Sequence, residues 1–251
     1  MNMHIFLVGL MMGAVVQAAP VVFQSSDRQT ALLEVYTSEG CSSCPPAESW
    51  LSKLKNDPGL WRECVPVAFH VDYWNNLGWA DGLSSEQYSE RQRSYARAWS
   101  SQEIYTPEII LNGKEWHNWF GFRGAPASSG AMNGVLMVRS EDGKHWQANF
   151  SPPGGVGKDY EVTAALLVSG IGSDVRAGEN TGRHLNHDFA ALSLVTRPLV
   201  SQTNGFAGSF IIDRSPKNIK GQLALAVWVT RAGNLEPLQA TGGWLPANGQ
   251  K

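Results

Sequence analysis

The sequence predicts an α/β domain over residues 19–128, followed by an all-β, sandwich-like region over residues 129–251. Up to about residue 120, short apolar runs alternate with helical patterns in the order β-α-β-α-β-β. From Val135 onward only strand patterns follow, separated by turn signals, which is typical of an antiparallel sandwich. A stretch rich in Gly, Ala and Ser at 124–134 lies between the two patterns and predicts the boundary.

The first 18 residues predict a signal peptide. Residues 5–16 are apolar, and Val16-Gln17-Ala18 places small residues at the two positions that a signal peptidase recognises. We therefore expect cleavage before Ala19 and a periplasmic or secreted protein; an uncleaved anchor is the alternative. No later segment approaches the ~20 apolar residues of a transmembrane helix, so no membrane span is expected in the mature chain.

Composition argues against nucleic acid as a partner. The chain carries 20 Lys and Arg against 22 Asp and Glu, for a net charge of −2. No stretch of the sequence is basic enough to steer phosphate groups. With 43% hydrophobic residues, the chain can form an ordinary globular core.

A C-x-x-C motif, Cys41 to Cys44, lies between a predicted strand at 32–36 and a predicted helix. The helix begins with Pro45 and Pro46, which are tolerated in a first turn because its amides have no partner within the helix. Helix amides and the helix dipole favour a thiolate at this position. We therefore predict that Cys41 is a nucleophile and Cys44 its resolving partner. A structural disulfide, or half of a zinc site, is the alternative.

Four further elements are predicted before residue 120. Residues 64–74 form an apolar strand, and Ser84 and Gln87 are suited to a capping box at the start of a helix. After Thr106-Pro107, a short apolar strand reaches the hairpin signal Asn112-Gly113, and a return strand is expected over 114–120.

This arrangement resembles the thioredoxin fold. More narrowly, segments 34–47, 69–74 and 105–108 resemble an uncharacterised bacterial family of secreted thioredoxin-like proteins. The segments 178–183 (Gly-Glu-Asn-Thr-Gly-Arg) and 242–245 (Gly-Gly-Trp-Leu) extend the resemblance into the β-rich half. The helix that thioredoxins have after Phe120 is expected to be short or absent, because residues 121–134 are rich in Gly, Ala and Ser.

The resemblance implies roles for three more residues. Pro107 would be cis and lie against the dithiol, with Thr106 presenting its backbone to an extended peptide. Glu34, a carboxylate within an apolar strand, would be a buried acid that carries a proton for Cys44. The alternatives are a surface-facing strand residue or a hydrogen-bonded structural acid for Glu34, and an ordinary strand-opening proline for Pro107.

Four other residues are weaker candidates. Asp72 is a second candidate acid, or part of a structural polar network. Cys64 is expected to be a buried thiol rather than a third redox cysteine. His184 and His187 could bind copper or zinc, but two histidines are half a site, and packing in a loop is the simpler interpretation.

Together these features predict an exported thiol–disulfide oxidoreductase. Its partners would be protein or peptide thiols and disulfides, together with an unidentified redox protein that recharges the pair. No dissociable cofactor and no metal site are expected. The alternatives are a non-catalytic binding module of the cell envelope and a copper-handling protein.

Overall fold

A computed structural model describes residues 19–154, 159–213 and 220–247. The fold is mostly β-sheet. The two α-helices are α1 (Pro45–Lys53) and α2 (Glu86–Ala98), and short 3-10 helices cover Leu54–Asn56, Asn75–Leu77 and His117–Trp119. The strands are β1 (Val21–Gln24), β2 (Ala31–Thr37), β3 (Cys64–His70), β4 (Glu108–Leu111), β5 (Lys114–Glu115), β6 (Val135–Ser140), β7 (His145–Ser151), β8 (Tyr160–Ser169), β9 (Ile171–Asp174), β10 (His184–His187), β11 (Ala190–Gln202), β12 (Gly205–Ile211), β13 (Gln222–Arg231) and β14 (Pro237–Trp244).

The predicted fold class, an α/β domain followed by a separate β region, is wrong. Both halves of the chain contribute to one mixed sheet of 12 strands. Strand β2 pairs in parallel with β3 and antiparallel with β4. The other edge of β3 is filled by β11, where Ala190 pairs with Ala68. Strand β11 then continues into β8 and β12, so the sheet crosses from one half of the chain to the other.

Strands β8 and β13 explain why the two halves cannot be separate. In β13, Leu225, Val227 and Val229 pack in a core with β6, β7 and β12. The residues between them, including Ala226 and Trp228, pack in the other core with β2 and β3. The sequence alternation predicts one buried face for β13, whereas both of its faces are buried. Two cores therefore share the same strands, and neither is complete without the other half. The boundary at residue 128 stays a prediction.

Local signals determine most of the first half. The Asn112-Gly113 hairpin is confirmed: both residues have positive φ, and the turn joins β4 to β5. The return strand is shorter than predicted, because the chain leaves it at Glu115 and enters a 3-10 helix. Helix α2 is capped by Ser85, which accepts a hydrogen bond from the Gln87 amide, and not by Ser84.

The predicted signal peptide at residues 1–18 lies outside the described residues. Among the residues that the structure describes, no helix is both long and apolar enough to cross a membrane.

Candidate functional site

The site centres on a disulfide between Cys41 and Cys44, whose Cα atoms are 5.5 Å apart. The pair follows β2 and opens α1, with Cys44 as the N-cap residue. The amides of Ala47 and Glu48 donate to the Cys44 carbonyl, which sets the first turn, and the two prolines occupy positions where a helix needs no donor. The side chains are 1% and 0% exposed, so the oxidised pair is buried.

The Thr106–Pro107 segment lies against this disulfide. The carbonyl oxygen of Thr106 is 3.6 Å from Cys41 Sγ and accepts a hydrogen bond of 3.2 Å from the Ser43 hydroxyl. Trp74 Nε1 donates to Thr106 Oγ1 at 2.8 Å and holds that side chain. The predicted cis peptide bond before Pro107 is confirmed. The fold thus brings together four of the five predicted site residues: Cys41, Cys44, Thr106 and Pro107.

Glu34 does not join them. It is fully buried on β2, and its carboxylate accepts two hydrogen bonds from Arg91, at 2.6 and 3.0 Å. Tyr36 and Tyr95 donate to the same carboxylate at 3.0 and 2.5 Å. These contacts match the alternative interpretation of Glu34 as a hydrogen-bonded structural acid. The proton-carrying role of Glu34 stays a prediction.

A loop from the β-rich half covers the dithiol. Asn180 is fully buried, and its side-chain amide donates to the carbonyls of Glu39 and Cys41, both at 2.9 Å. Arg183 in turn donates to the side-chain amide oxygen, Oδ1, of Asn180 at 2.8 Å. The Glu179 carboxylate accepts from the Ser42 amide at 3.0 Å. Sequence reasoning missed these contacts, although it singled out the segment 178–183 that carries them.

Charged groups form a buried network beside the motif. His187 Nδ1 lies 2.6 Å from Glu48 Oε2, and His187 Nε2 lies 3.1 Å from Glu39 Oε1. Burial alone would lower the pKa of His187, but hydrogen bonds to the two carboxylates and their negative charges raise it to about 10. Burial would raise the pKa of Glu48, but the hydrogen bond from His187 and the charges of both histidines keep it below its usual value.

His70 and Asp81 form the second pair of this network, with Nδ1 and Oδ2 2.7 Å apart. Burial opposes ionisation of Asp81, but the charge and hydrogen bond of His70 outweigh it and lower the pKa of Asp81 to about 2. Asp81 Oδ2 also accepts from the Glu39 amide at 2.9 Å, which ties the loop after β3 to the residues just before Cys41.

Glu108 directly follows Pro107 and is buried. Its carboxylate accepts a 2.6 Å hydrogen bond from Gln92, which also donates to the carbonyl of Tyr105. Burial raises the pKa of Glu108 to about 7, and the charges of Glu115 and Glu34 act in the same direction. The site therefore contains a carboxyl group that titrates near neutral pH.

The weaker candidates lie apart from one another. His184 and His187 occupy opposite faces of β10, because their odd spacing in a strand turns one outward and the other inward. His184 is exposed and pairs with Asp174, so the two histidines do not form one site. Asp72 accepts from Ser89 in a local polar network. Cys64 is a free, buried thiol, and burial raises its pKa.

The fold and the site define a β-rich protein in which one mixed sheet holds a C-x-x-C disulfide at the start of a helix. The chain belongs to the family described as "Protein of unknown function (DUF1223)", whose model matches residues 32–230. This agrees with the uncharacterised family expected from the sequence.

Two solved structures have a similar fold. A protein of Agrobacterium tumefaciens is 22% identical with a TM-score of 0.61, and the match covers 90% of this chain and 98% of that one. HBP35 of Porphyromonas gingivalis is 14% identical with a TM-score of 0.57, and the match covers 88% of this chain and 76% of that one. At these identities the likeness concerns the fold alone. No relative was found among curated proteins.

Proposed function

We propose that the protein is an exported thiol–disulfide oxidoreductase that acts on protein or peptide thiols and disulfides. One observation carries the proposal: the Cys41–Cys44 disulfide opens a helix while the Thr106 carbonyl lies 3.6 Å from Cys41 Sγ. This pairing of a C-x-x-C disulfide with a Thr-Pro segment resembles the redox sites of thioredoxin-like proteins. Helix amides stabilise a thiolate at such a position, which supports Cys41 as the reactive sulfur.

The exchange takes place in two steps. The Cys41 thiolate of the reduced protein attacks a substrate disulfide, so that a Cys41–substrate disulfide forms and one substrate sulfur leaves as a thiolate. The Cys44 thiolate then attacks Cys41 Sγ, which releases the second substrate thiolate and forms the Cys41–Cys44 disulfide. Two electrons pass to the substrate. The same steps in reverse oxidise a substrate dithiol.

Access to Cys41 requires a local movement, because its side chain is only 1% exposed. The Ser43 hydroxyl lies 3.3 Å from Cys41 Sγ and donates to the Thr106 carbonyl that an extended substrate would use. Ser43 itself is exposed, so a rotation of its side chain would free this carbonyl without disturbing the core. A substrate backbone amide could then replace the Ser43 hydroxyl as its donor.

Trapping of the mixed disulfide tests this proposal. The Cys44→Ser variant should retain a substrate peptide on Cys41 after exposure to a peptide disulfide, detected as an added mass that a reductant removes. The matched Cys41→Ser variant should trap none, because in this mechanism Cys44 attacks only the Cys41 sulfur and not the substrate. Equal trapping by both variants, or none by Cys44→Ser, would contradict the mechanism. Export is tested separately by the N-terminus of the mature protein, which should be Ala19.

Burial of both sulfurs favours a second candidate, a non-catalytic binding module with a structural disulfide. The two candidates differ in reduction potential. A structural disulfide should have a potential below about −300 mV, whereas oxidoreductases lie between about −120 and −270 mV. Equilibration of the protein with thiol buffers of known potential, followed by alkylation, measures it.

A further inference from the structure

The histidines behind the dithiol share one arrangement. His70 is held at Nδ1 by Asp81, 2.7 Å away, and His187 is held at Nε2 by Glu39, 3.1 Å away. In each case a carboxylate fixes one ring nitrogen, and the other nitrogen of His187 lies 2.6 Å from the Glu48 carboxylate. A carboxylate that orients a histidine in this way is the usual outer partner of a metal-binding histidine.

Glu48, His70 and His187 converge on one point. One ligand atom from each lies within 4.8 Å of the other two, and all three residues are buried. The two imidazole rings meet edge to face, with centroids 5.0 Å apart. The three residues come from α1, β3 and β10, so rigid elements position all of them.

His70 supplies an independent observation. Its Nε2 atom is buried and has no hydrogen-bond partner among the described residues, although the side chain is 1% exposed. In the neutral tautomer that donates from Nδ1 to Asp81, Nε2 carries a lone pair. A buried polar atom without a hydrogen-bond partner costs about 1–3 kcal/mol of stability. Because the other groups of this network are paired, the unpaired His70 Nε2 indicates a position for a ligand.

We propose that Glu48, His70 and His187 form a binding site for a divalent transition-metal ion of the zinc type. His70 Nε2, His187 Nδ1 and Glu48 Oε2 are the ligands, and Asp81 and Glu39 orient the two imidazoles. The ion takes the place of the proton that His187 and Glu48 share at 2.6 Å. Two nitrogens and one carboxylate oxygen suit Zn²⁺, with a fourth position open for water or another ligand.

Two cavities border the residues of this buried site. One, of about 580 Å³, is lined by Glu39 and His187 among others. A second, of about 330 Å³, is lined by Glu48 among others. The site is thus closed to bulk solvent but adjacent to open volumes.

Metal titration of the oxidised mature chain tests the site. Because Cys41 and Cys44 are then joined, the dithiol cannot be the ligand, and the outcome is independent of the proposed oxidoreductase activity. Calorimetry with Zn²⁺ should give one ion per chain with micromolar or tighter affinity. Co²⁺ should give visible absorption of a nitrogen–oxygen site without a thiolate charge-transfer band. Absence of one-to-one binding would overturn the proposal.

Variants identify the ligands. Glu48→Gln and His70→Ala should each weaken Zn²⁺ binding by more than tenfold, since even loss of an outer partner typically costs 10–100-fold. The matched control is His184→Ala, which removes an exposed histidine from the same strand as His187 and should bind Zn²⁺ as the parent does. Circular dichroism verifies that each variant is folded.

If the ligand variants do not fold, the parent protein still decides the question. Zn²⁺ should shift the NMR signals of His70 Nε2 and His187 Nδ1 and leave those of His184 unchanged. A shift confined to His184 would overturn the assignment, as would a folded Glu48→Gln variant that binds Zn²⁺ as tightly as the parent.

Discussion

Replacing Arg91 with Met should destabilise the protein strongly, because it leaves the buried Glu34 carboxylate without its cationic partner. Glu34 is fully buried, and Arg91 is the cation that pairs with it, through Nε at 2.6 Å and Nη2 at 3.0 Å. Met fills much of the volume of the Arg91 side chain but provides no donor. Tyr36 and Tyr95 would remain as the two donors to the carboxylate.

The expected loss is about 3–5 kcal/mol in the free energy of unfolding, which is the usual cost of removing one partner of a buried ion pair. The Arg91 guanidinium also lies over the ring of Trp228, 5.1 Å from its centroid, and losing this contact adds about 1 kcal/mol. A loss of this size approaches the total stability of many domains, so the variant should unfold at clearly lower urea concentrations.

Urea unfolding monitored by tryptophan fluorescence measures this loss. The matched comparison is a double-mutant cycle with Glu34→Gln, which keeps an acceptor for the tyrosines and carries no charge. Arg91→Met should cost far less in the Glu34→Gln background, with a coupling energy of about 2–3 kcal/mol. A loss below about 1 kcal/mol for Arg91→Met alone, or additive effects, would refute the argument that an unpaired buried charge sets the cost.

Three further predictions follow from the site. Asn180→Ala should remove the two hydrogen bonds to the carbonyls of Glu39 and Cys41 and lower the free energy of unfolding by about 2 kcal/mol. It should also speed reduction of the disulfide by dithiothreitol. The control is Thr181→Ala at an exposed neighbouring residue, and equal effects of the two variants would contradict this prediction. Glu108 has a pKa of about 7 in the folded protein, above the ordinary 4.5. The stability that its protonated form contributes is therefore fully present below about pH 4.5 and is lost as the pH rises through 7. Glu108→Gln should therefore abolish a fall of about 3 kcal/mol between about pH 4.5 and 8, measured by urea unfolding, and an unchanged pH profile would count against it. Iodoacetamide should label Cys41 but not Cys64 in the reduced native protein, because Cys64 is fully buried with a raised pKa; labelling of Cys64 without denaturant would disprove its burial.

The cysteine pair at the centre of the site is encoded locally. Cys41 and Cys44 lie between an apolar run and a helix start marked by Pro45 and Pro46, and a window of about 20 residues contains all of these signals. The Asn112-Gly113 hairpin is local in the same sense. Thr106 and Pro107 are distant from the cysteines in the sequence, and only the resemblance to a known family suggested that this segment lies against the dithiol.

The prediction about Glu34 shows where local reasoning ends. The apolar run around Glu34 correctly indicates burial, but burial does not say which groups lie nearby. Arg91 belongs to a helix 57 residues further on, and its distance from Glu34 depends on how α2 packs over the sheet. A buried acid beside an arginine is a structural ion pair, whereas the same acid beside a thiol would be a proton carrier.

By itself, the sequence determined the C-x-x-C motif at a helix start, both helices, most of the strands, though not β1, β9, β10 or β14, and the burial of most apolar runs. Only the tertiary structure decided that β11 extends the sheet beside β3, that Asn180 holds the Cys41 carbonyl, and that His187 meets Glu48. The physical reason is that residues separated by 139 positions leave no periodic pattern in the chain. Their contact follows from two cores that share the same strands, and such packing is a property of the whole fold.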